Sequence, residues 1–92
     1  MKNENELLQN ALDMWGKESQ LDMAVEECCE LIEAIQHWRR GRVNWFKVAE
    51  ELADVSLTTA NLRLVEPQTF DNWRAIKLQR LDRLLKRYAR VV

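Results

Sequence analysis

Apolar residues recur along this chain at spacings of three and four, and nowhere alternate with period two for long enough to make a strand. The pattern predicts an all-α protein built as a four-helix bundle. The first helix runs from about Asn5 to Trp15, with Leu8, Leu12 and Trp15 on one side, and Gly16 ends it. Ser19 is placed to cap the second, which continues to about Arg40 and stops at Gly41. Asn44 caps the third, Trp45 to about Val65, closed by Glu66-Pro67 because the proline ring disfavours helix before it. Thr69 or Asp71 caps the fourth, which runs to about Ala89.

Side chains set 100° apart around each helix sort into faces. In the second helix Glu30 centres a polar face that holds Glu26, Glu27, Glu33 and His37, while Val25, Cys28, Ile32 and Ile35 fill the far side. In the third, Asp54 centres a face with Lys47, Glu50, Glu51, Thr58 and Asn61, and Val48, Leu52 and Val55 lie elsewhere. Helices wrapped this widely in apolar residues belong at the centre of a bundle, so the two acidic stripes are expected to face one another. Trp15 and Trp73 are expected in the core. So are the adjacent Cys28 and Cys29, which point about 100° apart and make a poor disulfide.

Composition narrows the class. Ninety-two residues make a single domain, 1–92, and 47% apolar content with four tryptophans excludes a disordered chain. A core this small invites packing against a second copy, as a homodimer or homotetramer. No run of 18 apolar residues and no signal-peptide pattern occurs, which predicts a cytoplasmic protein with no membrane partner. The net charge of −1 conceals a gradient: residues 1–36 carry two bases and nine acids, residues 66–92 seven bases and three acids. The two ends are therefore suited to neutralise each other within a bundle or between copies.

Charge also exposes the chemistry. Glu26-Glu27-Cys-Cys-Glu30 and Glu50-Glu51-Leu-Ala-Asp54 share the form Glu-Glu-x-x-acid and start 24 residues apart. Like charges three and four apart on a helix repel by roughly 0.2–0.5 kcal/mol per pair. Two solvated polar faces are the plain reading of such clusters. A cation is the other, and Glu27, Glu30, Glu51 and Asp54 offer four carboxylates from two helices, the donors that Mg²⁺ and Mn²⁺ prefer. Mg²⁺ shares its shell with water and substrate phosphates, which points to phosphate chemistry. A di-iron bundle needs Glu-x-x-His, and the one histidine, His37, follows Ala34 at that spacing, so that reading fails and His37 is left as a helix-end surface residue.

EECCELIEAIQ followed by EELADVSLTTANL resembles the MazG-like all-α nucleoside triphosphate pyrophosphohydrolases, over about residues 19–65. Their signature is Glu-Glu-x-x-Glu, a spacer of about a dozen to two dozen residues or slightly more, then Glu-x-x-Asp; here 20 residues separate Glu30 from Glu51. The resemblance implies that Glu27, Glu30, Glu51 and Asp54 bind Mg²⁺, with Mn²⁺ as a substitute. It implies catalytic support from Glu26 and Glu50, and cleavage of a nucleoside triphosphate between the α and β phosphates. Related chains show Lys, then Asn four on, then Arg-Tyr near the C-terminal end. Arg87-Tyr88 keeps the last pair, but Arg80 stands at the lysine and Leu84 at the asparagine.

Substrate contacts are expected from Lys47, Asn61, Trp38, Lys77 and Arg80. Lys47 shares the Asp54 face and suits either a substrate phosphate or a salt bridge; Asn61 lies two turns beyond Asp54 and suits a base or sugar. Trp38 or Trp45 can stack on a base, and Arg39, Arg40 and Arg42 surround Gly41 between the motifs. The last helix adds Arg74, Arg83, Lys86, Arg87 and Arg90, read chiefly as a solvated or dimer-facing stripe. The rival readings are a non-catalytic helical interaction module and a nucleic-acid binder using the basic last helix. A net charge near zero disfavours the second, so no nucleic-acid partner is expected.

Overall fold

The computed structural model describes residues 2–91, with side chains through Ala89, and among them every regular element is helical. The elements are α1 (Glu4–Arg39), α2 (Trp45–Arg63) and α3 (Pro67–Val91). The all-α class is as expected, and the first two expected helices run together as α1 across a non-helical residue at the expected stop. Gly16, with φ 83° and ψ 161°, interrupts it in a backbone region that is nearly confined to glycine. The expected stop is therefore a kink, and Ser19 lies within α1 instead of capping a separate helix.

The ends follow local chemistry. Asn3 caps α1: its Oδ1 accepts from the Glu6 amide at 2.9 Å while its Nδ2 donates to Glu6 Oε1 at 3.1 Å. At the other end Gly41 takes φ 71°, which lets the Gly41 amide reach the Trp38 carbonyl and the Arg42 amide reach that of His37. This paired closure satisfies two carbonyls that the helix would otherwise leave unbonded. Asn44 occupies the N-cap of α2, though its side chain makes no capping bond. α3 starts at Pro67, ahead of both expected caps, because proline at the first helical position forgoes an amide that has no helical partner there. Asp71 turns instead to Arg63, which grips it with two bonds of 2.8 and 2.6 Å across the α2–α3 corner.

α1 and α2 pack along each other, and α3 makes almost no contact with either. Val48 and Ala34 are the buried apolar centre of the pair. Burying Val48 contributes on the order of 2 kcal/mol. Asn61, itself buried, donates to the Leu8 carbonyl at 2.9 Å and so ties the segment before Gly16 to α2. Much else lies outside. Trp15 is 59% and Trp73 54% exposed, and both cysteines are exposed, against their expected core positions. From Asp71 to Ala89 every residue of α3 is exposed. The chain presents 7594 Å² to solvent, where a compact protein of 11.0 kDa presents about 5,600 Å². Its radius of gyration, 16.8 Å, exceeds the roughly 12 Å of a compact domain this long. No described helix is long and apolar enough to cross a membrane.

Candidate metal centre

α1 and α2 bring their acidic stripes together. Glu27 and Glu30 from α1, and Glu51 and Asp54 from α2, each offer a carboxylate oxygen, and these four oxygens lie within 4.8 Å of one another. The three-residue spacing inside each pair places both members on one face, and packing around Ala34 and Val48 turns those faces inward. Glu51 is only 3% exposed. Among the described residues, Glu27 Oε2 and Glu51 Oε2 are buried with no hydrogen-bond partner. Burying a carboxylate oxygen without a donor is costly, and a cation held among the four would remove that cost.

Electrostatics tell the same story. The Glu27 carboxyl is pushed above the usual glutamate range, first by desolvation and then by the nearby charges of Glu30 and Asp54. Lys47 supplies the nearest compensation: its ammonium lies 2.9 Å from Glu51 Oε1 and 3.3 Å from Glu50 Oε1. Those contacts, with Glu51 foremost, raise the lysine pKa. One ammonium faces two carboxylates, and among the described residues Glu27, Glu30 and Asp54 form no ion pair.

A cleft of about 420 Å³ opens beside the cluster, lined by Glu30, Asp54, Glu51, Glu50 and Lys47 together with Glu33, Ala34, His37 and Val43. It is polar at its walls and large enough for several bound groups of phosphate size. His37 thus faces the cleft, with Nε2 4.0 Å from Glu33 Oε1, where a helix-end surface position was expected. Its place on the Glu30 face was the available signal, because the second helix carries Glu33 and His37 on the same side.

The other expected site residues separate into two groups. Glu50 lines the cleft, whereas Glu26 is exposed and does not. Trp38 meets Trp45 edge to face, with ring centroids 5.1 Å apart, one residue from His37 and two from Lys47. Asn61 is committed to Leu8 and lies outside the cleft lining. Lys77 and Arg80 sit on α3, none of whose described side chains lines the cleft; Lys77 instead stands 6.0 Å over the Trp73 ring. Arg39, Arg40 and Arg42 are exposed around Gly41. Arg90 falls outside the residues whose side chains are described.

Compared with protein-family models, with curated proteins and with solved structures, the chain matches none. The residues themselves therefore carry the functional argument.

Proposed function

We propose that this chain is a Mg²⁺-dependent nucleoside triphosphate pyrophosphohydrolase of the MazG-like kind, working as a homodimer or homotetramer in the cytoplasm on nucleotide pools. The carrying observation is the convergence of Glu27, Glu30, Glu51 and Asp54 with two buried, unpartnered oxygens among them. Carboxylates alone, with no histidine or thiolate in the set, suit a hard divalent cation. The oxygens of these four side chains would hold it.

When bound, the cation supplies charge neutralisation for phosphate oxygens and a polarised water. The chain's own residues do the rest. Lys47, released from one of its two carboxylates, offers an ammonium to a phosphate from the cleft wall. Glu50 stands exposed at the rim, where it can take a proton from the attacking water; Glu26, outside the lining, is assigned a supporting role only. Trp38 and Trp45, which meet edge to face, are assigned the stacking of a base. Lys77, Arg80 and Asn61 remain proposed substrate contacts, and none of them reaches the cleft within a single chain.

The exposed apolar side of α3 favours an interaction module as the second reading, but that reading leaves unexplained a part-buried acidic set with buried Glu51 at its centre. A panel of ribo- and deoxyribonucleoside triphosphates with Mg²⁺ or Mn²⁺, with product identification, decides between them. The enzyme reading expects pyrophosphate and the monophosphate from at least one member. No turnover across the panel, with the purified chain folded, sinks it.

A further inference from the structure

The geometry points to an ordered water sealed between α1 and α2, where it joins the side-chain amides of Gln20 and Asn61. Such a water is independent of the triphosphate chemistry.

Burial comes first. Gln20 is 6% and Asn61 3% exposed, and with Glu51 they are the buried polar side chains among the described residues. Asn61 commits its Nδ2 to the Leu8 carbonyl, which leaves its Oδ1 buried and unpartnered. Gln20 Nε2 is likewise buried without an acceptor. One amide therefore lacks a donor and the other an acceptor, and an unmet group of either kind weakens the fold.

Register sets the two amides opposite each other. α1 and α2 run antiparallel: Asn61 meets Leu8 near one end, while Asp54 and Glu51 meet Glu27 and Glu30 further along. Gln20 lies seven residues before Glu27 on α1, and Asn61 lies seven residues after Asp54 on α2. Seven residues make about two turns, so each amide stands on the same line of its helix as that carboxylate, about 10 Å away. In an antiparallel pair those steps bring both to one level. Leu21 and Leu62, the next residue on each helix, accordingly line a single groove beside them.

The chemistry of the occupant follows. Two neutral amides offer no charge to hold an ion, and neither lines the carboxylate cleft, so a triphosphate there does not reach them. A water meets both needs at once: its oxygen accepts from Gln20 Nε2, and it donates a hydrogen to Asn61 Oδ1. With the Gln20 amide turned end for end, the same water donates to both oxygens. Asn61 then holds α1 on both sides of Gly16, directly at Leu8 and through the water at Gln20. A substrate could claim Asn61 only by displacing that water.

Water-selective rotating-frame Overhauser spectra of the isotope-labelled full chain test this, together with magnetic relaxation dispersion, which counts long-lived internal waters. The Gln20 side-chain amide is expected to show a cross-peak to a long-lived water. Gln20→Leu is expected to hold one such water fewer than the wild type, with helix content by circular dichroism unchanged. In Asn61→Leu the Gln20 cross-peak disappears, because a buried water with a single partner is not retained. A water count unmoved by Gln20→Leu, or a cross-peak that survives Asn61→Leu, overturns the bridge. Should either variant fail to fold, the wild-type spectrum decides alone: a Gln20 amide without a water contact, or one bonded directly to Asn61, overturns it. None of these outcomes bears on turnover of the triphosphate panel.

Discussion

α2 and α3 are both amphipathic helices joined by a short corner, and they meet the rest of the chain in opposite ways. α2 packs on α1 and buries a charged side chain, Glu51, beside Val48. α3 buries nothing from Asp71 to Ala89 and leaves its leucines in solvent. Each arrangement inverts the usual rule that apolar surface goes in and charge stays out. The inversions also differ in kind. On the proposed reading the part-buried carboxylates take a cation, while the uncovered apolar stripe would need another surface. The same chain therefore carries two unmet demands, in two places, with different remedies.

The sharpest way to break this contrast is at the carboxylates. Glu30→Gln and Asp54→Asn are expected to cut Mg²⁺-dependent pyrophosphate release by at least about 100-fold. The same changes should keep or raise the metal-free melting temperature, since they remove like charge from a crowded site. Variants that lose turnover only by unfolding would instead make the cluster an ordinary structural feature.

That the two acidic stripes meet was legible because helical periodicity is local: Glu27, Glu30, Glu51 and Asp54 fall on single faces whatever the rest of the chain does. His37 and Glu33 were legible on the same face, yet whether a cleft would open beside them depended on the loop at Gly41 and on Val43. Trp15, Trp73 and the cysteines were misplaced because apolar character shows that a surface wants covering, not which chain covers it. Gly16 was legible as an interruption. The packing of the segment before it was not, because Leu8 is held by Asn61, 53 residues away in sequence. Asp71 carried the signature of a cap, and its actual partner, Arg63, lies on the preceding helix.

Metal addition sharpens the contrast next. A site that binds only the folded chain raises stability by about 2.7 kcal/mol at a hundredfold excess over its dissociation constant. Thermal denaturation with and without Mg²⁺ or Mn²⁺ should show this rise in the wild type and in Leu81→Glu/Leu84→Glu, and not in Asp54→Asn. A melting temperature that ignores both cations at tens of millimolar would remove the metal from the account.

Gly16 comes third. A methyl group there would meet nothing within 4 Å, so Gly16→Ala isolates the backbone cost of φ 83° and ψ 161°. The expected loss is about 1–3 kcal/mol in urea denaturation. Hydrogen exchange should quicken first before the kink, where Leu8 is held by Asn61. No change in midpoint would mean that the kink relaxes freely and that the two halves of α1 act as separate helices.

The smallest effects come from pH, and they separate the two regions by sign. Arg63, through its paired hydrogen bonds, holds the Asp71 carboxyl below the usual aspartate range. Its contribution is complete above that range and disappears as the pH falls through the lowered value. Glu27 behaves oppositely. Desolvation and its acidic neighbours raise its pKa, so the folded chain holds that proton more tightly than the unfolded chain does. Stability is then lost as the pH rises through the window just above the ordinary glutamate range. Urea midpoints from about pH 3 to 7, without metal, should therefore show an acid-side rise absent in Asp71→Asn and a subsequent fall absent in Glu27→Gln. Mg²⁺ should abolish the second and leave the first, because binding replaces the proton at the cluster and touches nothing at the α2–α3 corner. A Glu27→Gln profile that still falls with rising pH would place the pH-sensitive group elsewhere than the carboxylate cluster.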